Sequence, residues 1–268
     1  MVRRRELAAL PLALLVPRAA QAASVDLLLV LCMDASGSID QSEFELQRRG
    51  YAEAISDPRI VEAMTDGERR ATAIAVVEWG SPMGAATVVP WMVVRDRASA
   101  EALAKALVEA PRSHQTYNAI GDAIEHSIGL IAAAPHQATR RVIDVSGDGP
   151  DMRGRRPAHE ARDAAVAAAI TVNALVIVDE SRTGPRGQGL VGHYERDVIG
   201  GPGAFVMVAD GRRAFAQSIR AKLLREVAGL AGPRIDTRPV PSPRLRGEGD
   251  IRRSGPASYP HRADRSAG

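Results

Sequence analysis

Residues 25–33 read Val-Asp-Leu-Leu-Leu-Val-Leu-Cys-Met, an apolar run broken only by Asp26. A strand with one wet face alternates apolar and polar residues. A continuous run of this length fits a strand covered on both faces. Such a strand obliges the rest of the chain to supply helices for two sides of a sheet. Further apolar segments at 71–79, 87–94, 141–146, 171–178 and 204–208 read as strands. Between them, 42–55, 100–109, 118–133, 158–169 and 212–228 carry helical spacing, as in Ile120, Ile124, Ile128 and Ile131. Ser99 is placed to cap the second of these helices. Gly80, Pro82 and Gly84 separate the second and third strands and suit a hairpin. The alternation predicts an α/β fold: a doubly wound, mostly parallel sheet with helices on both faces and one antiparallel edge strand.

Apolar residues make up 45% of the 268 and aromatics only 3%, so the core must be built from Ala, Val, Leu and Ile. A surface that stacks bases or sugars is poorly served by that composition. The net charge of +3 misleads, because residues 1–22 carry +3 and residues 233–268 carry +4, leaving −4 on the part between. The folded part is mildly acidic and gives no nucleic-acid-binding face. Arg3, Arg4 and Arg5, a short apolar stretch and Ala20-Gln21-Ala22 give residues 1–22 the pattern of a signal peptide. No later run is long enough for a transmembrane span after cleavage, so the mature protein is expected to be periplasmic or secreted. Residues 23–232 are expected to form one domain. Residues 233–268, with six prolines and repeated Arg and Gly, read as a disordered basic tail. Cys32 is the single cysteine, which excludes an intrachain disulfide, and its apolar run makes it a small core residue.

Chemistry concentrates behind the first strand. Asp34-Ala35-Ser36-Gly37-Ser38 sets one carboxylate and two hydroxyls in a tight loop at a strand's carboxyl end, where ligand sites form in parallel sheets. All three are hard oxygen donors, the type that Mg²⁺ requires. Thr116, before the helix at 118–133, and Asp148, after the strand at 141–146, would adjoin that loop in a sheet whose order reverses beside the first strand. The same residues also have plainer roles. Asp34 and Ser38 suit helix capping, Thr116 an N-cap and Asp148 a turn.

The ordered set Asp34, Ser36 and Ser38, then Thr116, then Asp148 with Gly149, resembles the metal-ion-dependent adhesion site of von Willebrand factor A domains. Residues 142–150 (Val-Ile-Asp-Val-Ser-Gly-Asp-Gly-Pro) and 198–205 (Val-Ile-Gly-Gly-Pro-Gly-Ala-Phe) look like a bacterial family with an A-like domain, over roughly residues 24–229. The resemblance implies that Ser36, Ser38 and Thr116 ligate Mg²⁺ or Mn²⁺ directly and that Asp34 and Asp148 act through water or as alternate ligands. It further implies that an acidic side chain of a protein partner completes the shell, and that the chain is a binding module and not an enzyme. Two positions depart from the family pattern. His114 and Gln115 stand where a Gly pair is common, and Gly147 stands where Thr is usual. The alternatives are an A-like scaffold without a working metal site, or a haloacid-dehalogenase-type phosphatase using Asp34, Asp148 and Asp151. The latter lacks an acid at Ser36 to protonate a leaving group. His193 and Tyr194 fall in the Gly-rich stretch 184–203, which reads as a surface loop without an assigned role, and His114 as a solvent-facing loop residue.

Overall fold

A computed structural model describes residues 24–178 and 187–229. The expected signal peptide and the expected basic tail lie outside the described residues, as do residues 184–186 of the Gly-rich stretch. In chain order the elements are β1 (Ser24–Asp34), α1 (Gln41–Ile55), α2 (Pro58–Met64), β2 (Thr72–Trp79), β3 (Ala86–Val94), α3 (Arg97–Glu109) and α4 (Ile120–Ala132). Then follow β4 (Gln137–Gly147), α5 (Ala158–Ala167), β5 (Thr171–Val178), α6 (Gly187–His193), a π-helical turn (Tyr194–Val198), β6 (Val206–Asp210) and α7 (Gly211–Val227). The six strands form one sheet in the order β3-β2-β1-β4-β5-β6. Every pair is parallel except β2–β3, the hairpin at the edge. The expected doubly wound sheet with one antiparallel edge strand is therefore present.

β1 sits at the centre, and its two faces explain its composition. Leu27, Leu29, Leu31 and Met33 pack under α1, α2, α3 and α7, while Leu28, Val30 and Cys32 pack under α4, α5 and the π-helical turn. Because β2 leaves β1 on one side and β4 on the other, the carboxyl ends of these three strands meet at a topological switch point. That edge carries Asp34, Trp79 and Gly147.

The structure also corrects details. Asp96, not Ser99, is the N-cap of α3; Ser99 is the third helical residue and returns the bond of a capping box. α2 carried no sequence expectation, being a single short segment begun by the Asp57 cap and Pro58. The stretch 184–203 is not a surface loop where described. It contains α6 and the π-helical turn, with Tyr194 and Val198 buried.

One charged cluster lies inside the core. Lys222 on α7 pairs with Asp144 on β4 and with Glu226 at 2.6 Å, and Asn173 donates to Glu226 at 3.1 Å. One cation cannot balance two buried acids. Burial, then the Asp144 charge, pushes Glu226 up to about 8 from an ordinary 4.5. The folded state thus holds a proton that the unfolded chain releases near 4.5. The resulting stability is complete below that value and is lost as pH rises through about 8. Thermal unfolding should show a melting temperature that falls over this window, with a shallower slope in Glu226→Gln. Burial likewise pushes the Cys32 thiol up to about 12, which makes it an inert core group beside Ser127.

Candidate metal centre

Three loops build the site, and each is held by groups outside the donor set. The first loop leaves β1 at Asp34, which is fully buried. Its carboxylate accepts from the Ser36 amide at 2.8 Å and from the Asp148 amide at 3.4 Å. Gln47 of α1 donates to the Asp34 carbonyl at 3.0 Å, and α1 starts at once behind a capping box of Asp40 and Glu43. The loop is therefore fixed at both ends. The N-cap of α1 is Asp40, so neither Asp34 nor Ser38 serves as its cap.

The second loop, between α3 and α4, rests on a buried ion pair. Arg48 bonds Glu78 and the carbonyls of Ala110 and Pro111, while the other Glu78 oxygen accepts from the Ser113 amide at 2.7 Å. Gln115, one of the residues in place of the family's Gly pair, accepts from Ser81 N at 2.8 Å and donates to Gly84 O at 2.7 Å. It stitches this loop to the β2–β3 turn, whereas His114 beside it is exposed. Ala119 rather than Thr116 is the N-cap of α4.

The third loop follows β4. Tyr194 donates to Gly149 O at 3.1 Å, and its hydroxyl would lie 2.5 Å from a Cβ built on Gly147. The Thr usual at that position in A domains does not fit here, which explains the departure. Asp151 accepts from Ile120 N at 2.8 Å, Gly121 N at 3.3 Å and Ala158 N at 2.9 Å, so one carboxylate caps α4 and α5 together. His193 Nε2 accepts from Asp151 N at 3.0 Å while its Nδ1 meets Asp197 at 2.8 Å, an arrangement that puts the ring proton on Nδ1. Asp122 of α4 accepts from Met83 N at 2.8 Å and Arg155 N at 2.9 Å, tying down the flanking loops.

The expected donors converge unequally. Ser36 Oγ lies 3.0 Å from Ser38 Oγ, which donates to Asp148 Oδ1 at 3.1 Å. Asp34, Ser36, Ser38 and Asp148 thus form one hydrogen-bonded chain. Thr116 joins through its backbone, its carbonyl accepting from Gly37 N at 3.4 Å, while its hydroxyl lies 3.1 Å from Ser81 Oγ. Ser81 was not foreseen, and nothing in an isolated Gly-Ser-Pro turn distinguishes it. Burial, and then the Asp148 charge, lifts Asp34 to about 7 from 3.8. Among the described residues Asp34 forms no ion pair, and no group of three His, Cys, Asp or Glu residues forms a metal site. The donor set is of carboxylate and hydroxyl oxygens, which suits a hard divalent cation.

A parallel sheet with a switch point, flanked by helices and bearing this loop trio, defines a von Willebrand A-type fold. Solved structures agree. Zinc-occupied proximal thread matrix protein 1 from the mussel byssus, described as having a MIDAS motif, matches at TM-score 0.53 and 13% identity over 77% of this chain and 47% of its own. A von Willebrand factor type A protein from Catenulispora acidiphila matches at 0.51 and 17% over 77% and 43%. The pilus adhesin SpaC from Lactobacillus rhamnosus GG matches at 0.56 and 13% over 77% and 31%. This chain spans less than half of each of those chains. The chain belongs to DUF1194, described as a protein of unknown function, whose family pattern matches residues 24–231. No curated protein matches it.

Proposed function

We propose that the protein is an exported binding module that holds Mg²⁺ or Mn²⁺ at the loop tips and captures an acidic side chain of a partner protein. The observation that carries this reading is the buried Asp34 carboxylate, without an ion pair among the described residues, linked through Ser36 and Ser38 to Asp148. Ser36, Ser38 and Thr116 would ligate the cation, and Asp34 and Asp148 would hold its water. The cation would supply a Lewis-acidic position for an incoming carboxylate. Neutral hydroxyls leave its charge poorly quenched, which strengthens that attraction. Ser81 keeps the Thr116 hydroxyl oriented, and Gln115 holds the two loops in register. The signal-like pattern of residues 1–22 supports an exported location. The Asp151 carboxylate is committed to two helix ends, so a phosphatase reading that uses it as a metal ligand gains no support.

Thermal unfolding with and without Mg²⁺ tests the reading. At a concentration a hundredfold above Kd the wild type should gain about 2.7 kcal/mol. Ser38→Ala and Asp34→Ala should gain far less. An unchanged melting temperature in millimolar Mg²⁺ and Mn²⁺ would sink it.

A further inference from the structure

Six large apolar side chains are exposed among the described residues. Leu46, Val108 and Val166 stand singly on α1, α3 and α5, as scattered surface residues do. The other three lie one on each of three loops beside the metal centre: Met83 in the β2–β3 turn at 69% exposure, Tyr117 next to Thr116 at 42% and Met152 in the loop after β4 at 44%. Hydrogen bonds bind these loops together. Met152 N donates to Asn118 O at 2.7 Å, and Arg155 Nη1 reaches Met83 Sδ at 3.1 Å. The Arg153 guanidinium lies 4.9 Å from the Tyr117 ring centroid. Arg153 and Arg155 form no ion pair among the described residues, whereas Arg156 next to them pairs with Glu125 at 3.5 Å.

Two of the four non-glycine residues with positive φ among the described residues lie on this rim, the other two being Arg70 and Ala169. Met83 and Arg153 have φ of 53° and 61°, the left-handed region that glycine occupies without cost. A side chain kept there is held against local strain. Methionine adapts its shape to varied apolar partners, and Tyr offers a large contact area with little entropy to lose.

We infer that the rim of Met83, Tyr117 and Met152, with Arg153 and Arg155, receives an acidic protein segment: a carboxylate for the metal, an apolar side chain beside it for Met83, Tyr117 and Met152, and a second acid against the arginines. This rests on the metal-dependent capture proposed above and names the partner's chemistry. Arginines without an ion pair among the described residues, beside exposed apolar side chains, favour an acidic and apolar partner over a purely polar one.

The test uses a random peptide library displayed on phage, selected on the full chain in Mg²⁺ and, in parallel, in chelator. Metal-dependent enrichment of peptides with an acid adjacent to an apolar residue is expected. The triple variant M83G, Y117S, M152S relieves strain at Met83 and should fold. It should keep the Mg²⁺ stabilisation yet bind these peptides about tenfold or more weakly. R153E with R155E should weaken them too, and most at low salt. Metal-dependent peptides without an apolar neighbour, or undiminished by the triple variant, would overturn the rim assignment and leave the metal centre standing. Mg²⁺ stabilisation with no metal-dependent peptide would overturn partner capture and the rim together. Equal capture of anionic vesicles in chelator would assign the arginines to lipid instead.

Discussion

Arg48→Ala should cost about 3–5 kcal/mol of unfolding free energy, the loss expected when one partner of a buried ion pair is removed. Glu78 is fully buried and would be left with the Ser113 amide but no cation to offset its charge. The guanidinium also bonds the Ala110 and Pro111 carbonyls and packs 4.5 Å from the Phe44 ring centroid. Its loss therefore frees the chain that leads to Thr116. Urea denaturation should show a lower midpoint at unchanged slope. The double variant Arg48→Met with Glu78→Gln should recover part of the loss, since it removes the uncompensated charge. A loss below about 1 kcal/mol would mean that the pair does not brace the second loop.

Asp151→Ala is expected to cost about 2–4 kcal/mol, because one carboxylate caps two helices and an N-cap contributes about 1–2 kcal/mol at each. Its three amide donors on α4 and α5 would be left without their acceptor. Asp151→Asn should lose roughly half as much, because its single side-chain oxygen can serve only one helix end. Both variants should weaken Mg²⁺ stabilisation as well, since Asp151 joins the Asp148 loop to the start of α4. Stability losses of the predicted size with metal response unchanged would separate helix capping from loop placement.

The fold was legible because its signals are long-range in composition but local in reading. The run at 25–33 needs both faces covered, and β1 is covered on both faces. The Gly80–Gly84 turn announces a hairpin, and β2 and β3 pair antiparallel. Of the candidate site, only the oxygen donors could be noticed in the sequence. Asp34, Ser36, Ser38, Thr116 and Asp148 stand at strand–helix junctions, where hydroxyl and carboxyl residues can be noticed. The residues that hold them could not be found this way. Glu78 and Arg48 meet across 30 residues, and Gln115 meets Ser81 across 34. An isolated buried charge reads as a surface charge until its partner is known. Asp151 enters the sequence reading only through the phosphatase alternative, because the two helix ends it caps are set by tertiary placement. His193 and Tyr194 looked idle because a Gly-rich stretch hides a π-helical turn, a form without a clear sequence signature.

A crystal grown with millimolar Mn²⁺ and measured near the manganese absorption edge would test the central claim most directly. One anomalous peak within bonding distance of the Ser36, Ser38 and Thr116 hydroxyls, with Asp34 and Asp148 reached through water, is the predicted result. A peak placed elsewhere, or none at these loops, would contradict it.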